Sequence, residues 1–341
     1  MSNEALLSVR QVDKHFDISG GFLDQLKWRQ GRPARIRTMV KAVNQVSFDI
    51  RQGETLSVVG ESGCGKSTLG RVIIGLYQPS TGQVHYRGRR IDTLTSQQML
   101  KYRTKMQMVF QDPYASLNPR MKVRETLEEP LRFHNKNGGQ RQNQQMVRDR
   151  VAEVMRQVGV DPAWMDRYPH EFSGGQRQRI SIARALVVDP EFVVADEPIS
   201  ALDVSIQAQI LNLLMDAQEQ RGLTYLFISH DLSVVRHISS RVAVMYLGTL
   251  CEVAPTENLF KEPRHPYTRA LLSAIPRLGG QCGSHVRLSG EVPTPIDLPP
   301  GCVFHGRCPA VHDICRQKIP RLRELESGTW AACHGLTQGW I

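Results

Sequence analysis

Two spacings of apolar residues run along the chain. Leu6-Leu7-Ser8-Val9-Arg10-Gln11-Val12 alternates apolar and polar positions in the manner of an edge strand, and the stretch from Ala42 to Ile50 alternates again. Apolar-rich runs predict further strands at Thr55 to Val59, Lys105 to Phe110, Phe192 to Ala195 and Thr224 to Ile228, with a short one at Val84 to Tyr86. Helical spacing appears at Leu69 to Leu76, Lys122 to Phe133 and Gln144 to Val158, the last two flanking a polar loop at Asn135 to Asn143. Val242 to Tyr246 and Thr249 to Val253 predict a hairpin about Leu247-Gly248. Between the first two strands, Gly20 to Thr38 is rich in Gly and basic residues and predicts a surface loop with a short helical piece around Phe22 to Trp28. The whole is an α/β pattern with a helical subdomain, about residues 112–175, inserted into the core.

Composition narrows the class. The 341 residues are 40% hydrophobic and 22% charged, enough for a folded protein of one large or two modest domains. No apolar run reaches bilayer length and Met1 to Arg10 lacks a signal-peptide layout, so a cytoplasmic protein is expected, with any membrane link made through partners. The net charge of +10 fits nucleic acid, an anionic membrane surface or nucleotide phosphates alike. Its basic residues are dispersed apart from a knot at Lys27, Arg29, Arg32, Arg35, Arg37 and Lys41, and no aromatic-interleaved run marks a single-strand binder. A solvated or lipid-facing basic loop is expected, and no nucleic-acid partner.

Candidate chemistry begins where the run Thr55 to Val59 ends. Gly60-Glu61-Ser62-Gly63-Cys64-Gly65-Lys66-Ser67-Thr68 has the spacing of a phosphate loop between strand and helix. Gly60, Gly63 and Gly65 allow the backbone to curl its N–H groups inward on an anion, and Lys66 adds a point charge for the β- and γ-phosphates. Ser67 is placed to ligate Mg²⁺, and Thr68 adds a donor at the helix start. Downstream, Asp196 closes a buried strand and suits the metal side of such a site, while Glu197 is positioned to orient or deprotonate water. Gln111 follows the strand from Lys105 and can touch both Mg²⁺ and the attacking water, or serve as an ordinary loop residue. His230, after the strand from Thr224, reaches a γ-phosphate or faces solvent. Ser173-Gly174-Gly175-Gln176 opens a helix whose N-terminus offers a hydroxyl and two glycine amides to an anion. Phe16 either stacks on a nucleobase or packs in the core at a strand end.

Of seven cysteines, Cys302, Cys308, Cys315 and Cys333 crowd into the tail. In a reducing compartment such a group argues for metal before disulfides. Paired zinc knuckles are absent, whereas four thiolates from an irregular loop can surround a cubic cluster, so a [4Fe–4S] cluster is expected. The alternatives are zinc, with His305, His312 or His334 as substitute ligands, and plain buried thiols.

Together these residues resemble an ATP-binding-cassette ATPase. Phe16 matches the base-stacking aromatic, Gly60 to Thr68 the Walker A motif, Gln111 the Q-loop and Phe172 to Gln176 the signature, with Phe172 where the family usually has Leu. Asp196 and Glu197 match Walker B, Ser200-Ala201-Leu202-Asp203 the D-loop and His230 the switch histidine. The resemblance implies a P-loop, RecA-like core with an antiparallel β subdomain and the helical insertion over residues 5–260, ATP and Mg²⁺ as cofactors, and a head-to-tail pair of cassettes. Residues 261–341, with Pro263-Arg264-His265-Pro266-Tyr267-Thr268-Arg269-Ala270-Leu271-Leu272, Pro276, Leu288 to Pro293 and Pro299 to Cys302, look like the cysteine-containing extension of dipeptide and oligopeptide importer ATPases. Asp112 to Pro119 looks the same way. That branch implies two transmembrane permease subunits, a second, paralogous cassette subunit, a periplasmic peptide-binding protein, residence at the cytoplasmic face of the bacterial inner membrane, and in some members the [4Fe–4S] cluster. Nickel, glutathione and antimicrobial-peptide importers share much of it; a soluble cassette acting on ribosomes or DNA and a carbon–phosphorus lyase-type complex are the rival classes.

Overall fold

The buried apolar runs pair with one another as parallel strands, because each lacks the polar alternation that would let one face meet water. We describe the chain from a computed structural model covering residues 5–19, 26–29, 32–35, 38–136, 143–200, 202–275, 288, 290–326 and 328–341. It divides into two compact units, one built mainly from Ile50–Ser57 and Thr93–Ser229, the other from Leu7–Asp49, Val58–Asp92 and His230–Ile341.

In the first unit, Thr224–Ile228 lies beside Phe192–Asp196, which lies beside Met106–Val109, all parallel. The register sets Ile228 level with Asp196 and Val109 level with Ala195, so the three carboxyl ends emerge together and deliver Gln111 and Glu197 to one edge. Helices Val123–Lys136, Gln144–Gln157 and Gly174–Leu186 pack on one another. Their starts are written in the sequence: Asn143 accepts from the Met146 N–H, and Ser173 and Gln176 form a reciprocal capping box. The long helix Val204–Arg221 stops at Gly222 in the left-handed region (φ 64°).

In the second unit the alternating strands Ala5–Asp17, Met39–Arg51, Thr81–Tyr86 and Arg89–Arg90 form a separate sheet in which Met39–Arg51 flanks Ala5–Asp17, and that strand pairs antiparallel with Thr81–Tyr86. The predicted hairpin is present as Arg241–Tyr246 and Thr249–Pro255. Its outer strand pairs antiparallel with Thr329–Ala331, which pairs with Arg323–Glu326. Residues of the expected tail extension are therefore edge strands of the hairpin's own ladder, and the extension is not a separate body. Phe304, Tyr246, Tyr267, Cys251 and Val59 share one core cluster there. The basic insertion also differs from expectation: Leu26–Arg29 and Arg32–Arg35 pair antiparallel, with Trp28 opposite Pro33. Leu and Trp alternating with Lys and Arg is a period of two, which outweighs the helical spacing read from Phe22 onward; residues 22–25 lie outside the described ones.

A polar knot sits inside this core. Glu252 is 0% exposed and His265 2%. The carboxylate accepts from the N–H groups of Arg264 (2.9 Å) and His265 (2.8 Å), and His265 Nδ1 accepts from the Tyr267 N–H at 3.1 Å, capping helix Pro266–Ser273. Burial drives the His265 pKa down to about 4, with Arg269 adding to the effect. Below its ordinary 6.5 the unfolded imidazole takes a proton that the folded one refuses until about pH 4, so this contribution is complete above 6.5 and is lost as pH falls through that window. It amounts to roughly 3 kcal/mol. Glu252, raised by burial, works oppositely, removing stability as pH rises past 4.5. His265→Asn keeps a capping acceptor and removes the titration, so its denaturant midpoint should fall less than the wild type's between pH 6.5 and 4.5. Parallel pH profiles would exonerate His265.

Candidate active site

The phosphate loop, in the second unit, follows the fully buried strand Thr55–Val59 and enters helix Lys66–Ile73. Gly60 (φ 151°) and Gly65 (φ 103°) approach backbone so closely that a Cβ would sit 2.1 Å from Met245 O and 2.0 Å from Ala42 O. Gly63 (φ 77°) has open space and needs glycine only for its dihedral. Lys66 is 5% exposed, and its Nζ donates to Gly60 O (2.8 Å) and Glu61 O (3.0 Å), which holds the ammonium against the curl of the loop. Ser62 and Gly63 form the exposed rim, while Ser67 and Thr68 occupy the first helical turn. Burial raises the Cys64 thiol pKa, so the residue serves through its backbone: its carbonyl accepts from the Gly248 N–H at 2.9 Å. Gly248 O in turn accepts from Asn44 N–H (2.8 Å), and Asn44 Nδ2 donates to Leu247 O (3.2 Å). The hairpin turn thus braces the loop. Phe16 is half-buried, edge-on to a half-buried Tyr77 at 5.5 Å, with Lys14 Nζ 4.9 Å from its ring, and is not a fully buried core Phe. His230 is exposed at the end of its strand.

In the first unit Asp196 is 1% exposed at the last position of its strand. Glu197 takes a left-handed backbone (φ 46°), donates its N–H to Ile228 O at 2.9 Å, and accepts from Gln111 Nε2 at 2.8 Å through Oε2. A non-glycine residue there is strained by about 1–3 kcal/mol, and the bonds to Ile228 and Gln111 hold it in place. Asp196, Glu197 and Gln111 are thereby gathered at one sheet edge. Ser173, Gly174, Gly175 and Gln176 form the capped start of their helix; a Cβ on Gly175 would meet Ile206 at 2.7 Å. Phe172 is 4% exposed against Trp164 (6.1 Å between rings), which explains how an aromatic fills the signature's first position. Asp203 starts helix Val204–Arg221. Ala201 of the D-loop lies outside the described residues.

Asp196 and Gln111 in the first unit, and Ser67 in the second, each offer an oxygen donor of the kind Mg²⁺ prefers. Held by such oxygens, Mg²⁺ would supply positive charge against that of the phosphates. The cysteine expectation is corrected: among the described residues no group of three or more His, Cys, Asp or Glu side chains could hold a metal ion. Burial raises the thiol pKa values of Cys302, to about 12, and of Cys308 and Cys333, and neighbouring cysteines add to the shift. Cys315 is buried, and its carbonyl accepts from the Cys302 N–H at 2.7 Å. Irregular spacing brought these residues into one region without making a ligand set.

Two contacts had no sequence signal. Tyr267 and Arg307 both reach Glu61, inside the phosphate loop, from the carboxyl-terminal region.

A strand, glycine loop and helix, together with acids at the carboxyl edge of a parallel sheet and a capped Ser-Gly-Gly helix start, define an ATP-binding cassette. Comparison with known proteins agrees. The ABC transporter family matches residues 43–200, and the family described as "Oligopeptide/dipeptide transporter, C-terminal region" matches residues 251–315. The putative oligopeptide transport ATP-binding protein YkfD of Bacillus subtilis is 50% identical over 332 residues, covering 96% of this chain and 95% of the relative. The dipeptide transport ATP-binding protein DppF of Haemophilus influenzae is 51% identical over 332 residues, covering 97% of each. Among solved structures, the dimeric ATP-binding cassette MJ0796 bound to ADP and Pi superposes with a TM-score of 0.62 at 27% identity, covering 73% of this chain and 98% of that one. The chain belongs to the ABC transporter family, among the ATP-binding proteins of its oligopeptide and dipeptide branch, and is an ATPase.

Proposed function

We propose that this chain is the ATP-hydrolysing subunit of a bacterial inner-membrane importer for dipeptides or oligopeptides. The observation that carries the reading is end-to-end similarity to peptide-transport ATP-binding proteins, tail included. Lys66 and the loop amides hold the phosphates, with Gly60, Ser62, Gly63, Cys64, Gly65 and Thr68 shaping the cradle and Phe16 stacking on the base. Ser67, Asp196 and Gln111 hold Mg²⁺, and Glu197 orients the water. His230 completes the γ-phosphate cage with the signature serine of a second, paralogous cassette, and Ser173, Gly174, Gly175, Gln176 and Asp203 of this chain serve that cassette's site in return. Binding closes the pair and hydrolysis reopens it, and two transmembrane permease subunits, fed by a periplasmic peptide-binding protein, carry the peptide. No helix among the described residues is long and apolar enough to cross a membrane, which fits a subunit docked at the cytoplasmic face.

The docking place in this reading is a cleft of about 620 Å³ in the first unit, lined by Leu100, Lys101, Gln107, Pro130, Phe133 and His134 among others. Phe133 is 52% exposed there, an apolar anchor for a cytoplasmic helix of a permease subunit. Burying a Phe contributes roughly 1.5–3 kcal/mol, so Phe133→Glu should cut recovery with the permease subunits from solubilised membranes at least about tenfold while ATP binding stays as it was. Undiminished recovery removes this cleft from the interface. The reading as a whole is tested by co-purification with polytopic membrane subunits and by ATPase activity stimulated by peptide and its binding protein; recovery with soluble enzymes alone overturns it.

A further inference from the structure

Glu61 stands between the glycines that shape the phosphate cradle, and it is gripped from two directions by side chains far away in sequence. Tyr267, 0% exposed in the first turn of helix Pro266–Ser273, accepts the Glu61 N–H on its hydroxyl at 3.0 Å. Arg307, at the end of the short turn His305–Arg307, donates from Nη1 to both Glu61 carboxylate oxygens at 3.1 and 2.8 Å. The side chains of this pair are only 11% and 26% exposed, so water screens them weakly. Phe304 packs at 5.3 Å on Tyr267 and at 5.3 Å on Tyr246, whose ring lies 5.8 Å from the Arg307 guanidinium. The Glu61 carbonyl, in turn, accepts from Lys66 Nζ at 3.0 Å. Tail, loop and catalytic lysine form one connected chain of contacts within a single compact unit.

Two physical consequences follow. The grip on the Glu61 N–H and side chain sets the first turn of the loop, and so the aim of the amides after it. Arg307 also cancels a carboxylate charge that would otherwise stand beside the nucleotide's phosphates. We infer that Tyr267 and Arg307 are positioning residues for ATP, which makes nucleotide affinity a property of the carboxyl-terminal region as well as of the loop. The inference rests on the assignment of Gly60 to Thr68 as the ATP-phosphate site.

The test is equilibrium binding of a slowly hydrolysed ATP analogue with Mg²⁺ to the full-length chain, together with KM and kcat for ATP. Arg307→Gln strands a partly buried carboxylate and should weaken binding about tenfold, raising KM while kcat changes less than about twofold. Glu61→Gln still offers Arg307 an acceptor and should cost less than about threefold. The double variant, with the charge gone and an amide pair possible, should bind better than Arg307→Gln alone. A merely structural role for Arg307 predicts the reverse, with the double variant at least as impaired as Arg307→Gln. Tyr267→Phe keeps the packing, removes one acceptor and should weaken binding about fivefold; it carries the test should Arg307→Gln fail to fold. Wild-type affinity in Arg307→Gln and Tyr267→Phe, or no recovery in the double variant, overturns the inference. A wild-type chain that binds no nucleotide would instead sink the ATP-site assignment itself.

Discussion

Glu197→Gln is expected to bind ATP within about threefold of wild type and to turn it over about 10²- to 10⁴-fold more slowly. The substitution is nearly isosteric, and a glutamine can still accept from Gln111 Nε2, which stands 2.8 Å from Glu197 Oε2. The backbone bond from the Glu197 N–H to Ile228 O is untouched, so the left-handed turn survives. What disappears, on the mechanism proposed above, is the carboxylate that orients the water, an interaction realised in the transition state, so kcat falls and binding does not. The measurement is single-turnover hydrolysis in the assembled complex beside nucleotide titration. Turnover within threefold of wild type would remove Glu197 from the mechanism, and loss of binding would show that its part is structural.

What was legible in the sequence is what depends on contiguous residues. The phosphate loop carries its requirements within one stretch, and the acids at 196 and 197 were readable because a five-residue apolar strand must end somewhere and here ends in carboxylates. The helix start at Ser173 was equally local, although its capping by Gln176, three residues away, emerged only from the structure. Contacts that cross the chain left no mark: Tyr267 meets Glu61 across 206 positions and Arg307 across 246, and neither a tyrosine in a helix nor an arginine in a glycine-rich turn announces its target. The strand Thr329–Ala331 is three residues long, too short for any period to show, so its place in the hairpin's ladder emerges only from the pairing. The cysteine reading failed for a related reason. Spacing constrains how far apart ligands lie along the chain, but convergence of donors depends on folding around them, and among the described residues no metal-holding group forms.

Gly65→Ala is expected to lower ATP affinity at least about 100-fold, whereas Gly63→Ala, two residues earlier in the same loop, should lose less than about tenfold. Both glycines have positive φ, 103° and 77°, and an alanine at either is strained. At Gly63 that strain is the whole effect, because nothing lies within 4 Å of the added methyl. At Gly65 the methyl would also sit 2.0 Å from the carbonyl oxygen of Ala42 and 3.1 Å from Met245 Cε. The methionine end can move aside, but Ala42 belongs to the strand Met39–Arg51 and is fixed by its pairing. The loop must therefore yield, and it yields at the residue that hands the chain to helix Lys66–Ile73, displacing Lys66 and the helix-start amides together. Thermal unfolding separates this from collapse of the fold: the helix core at Leu69, Val72 and Ile73 is untouched, so both variants should remain folded, with Gly65→Ala a few degrees less stable. Equal affinities in the two variants would show that the contact with Ala42 does not constrain the loop.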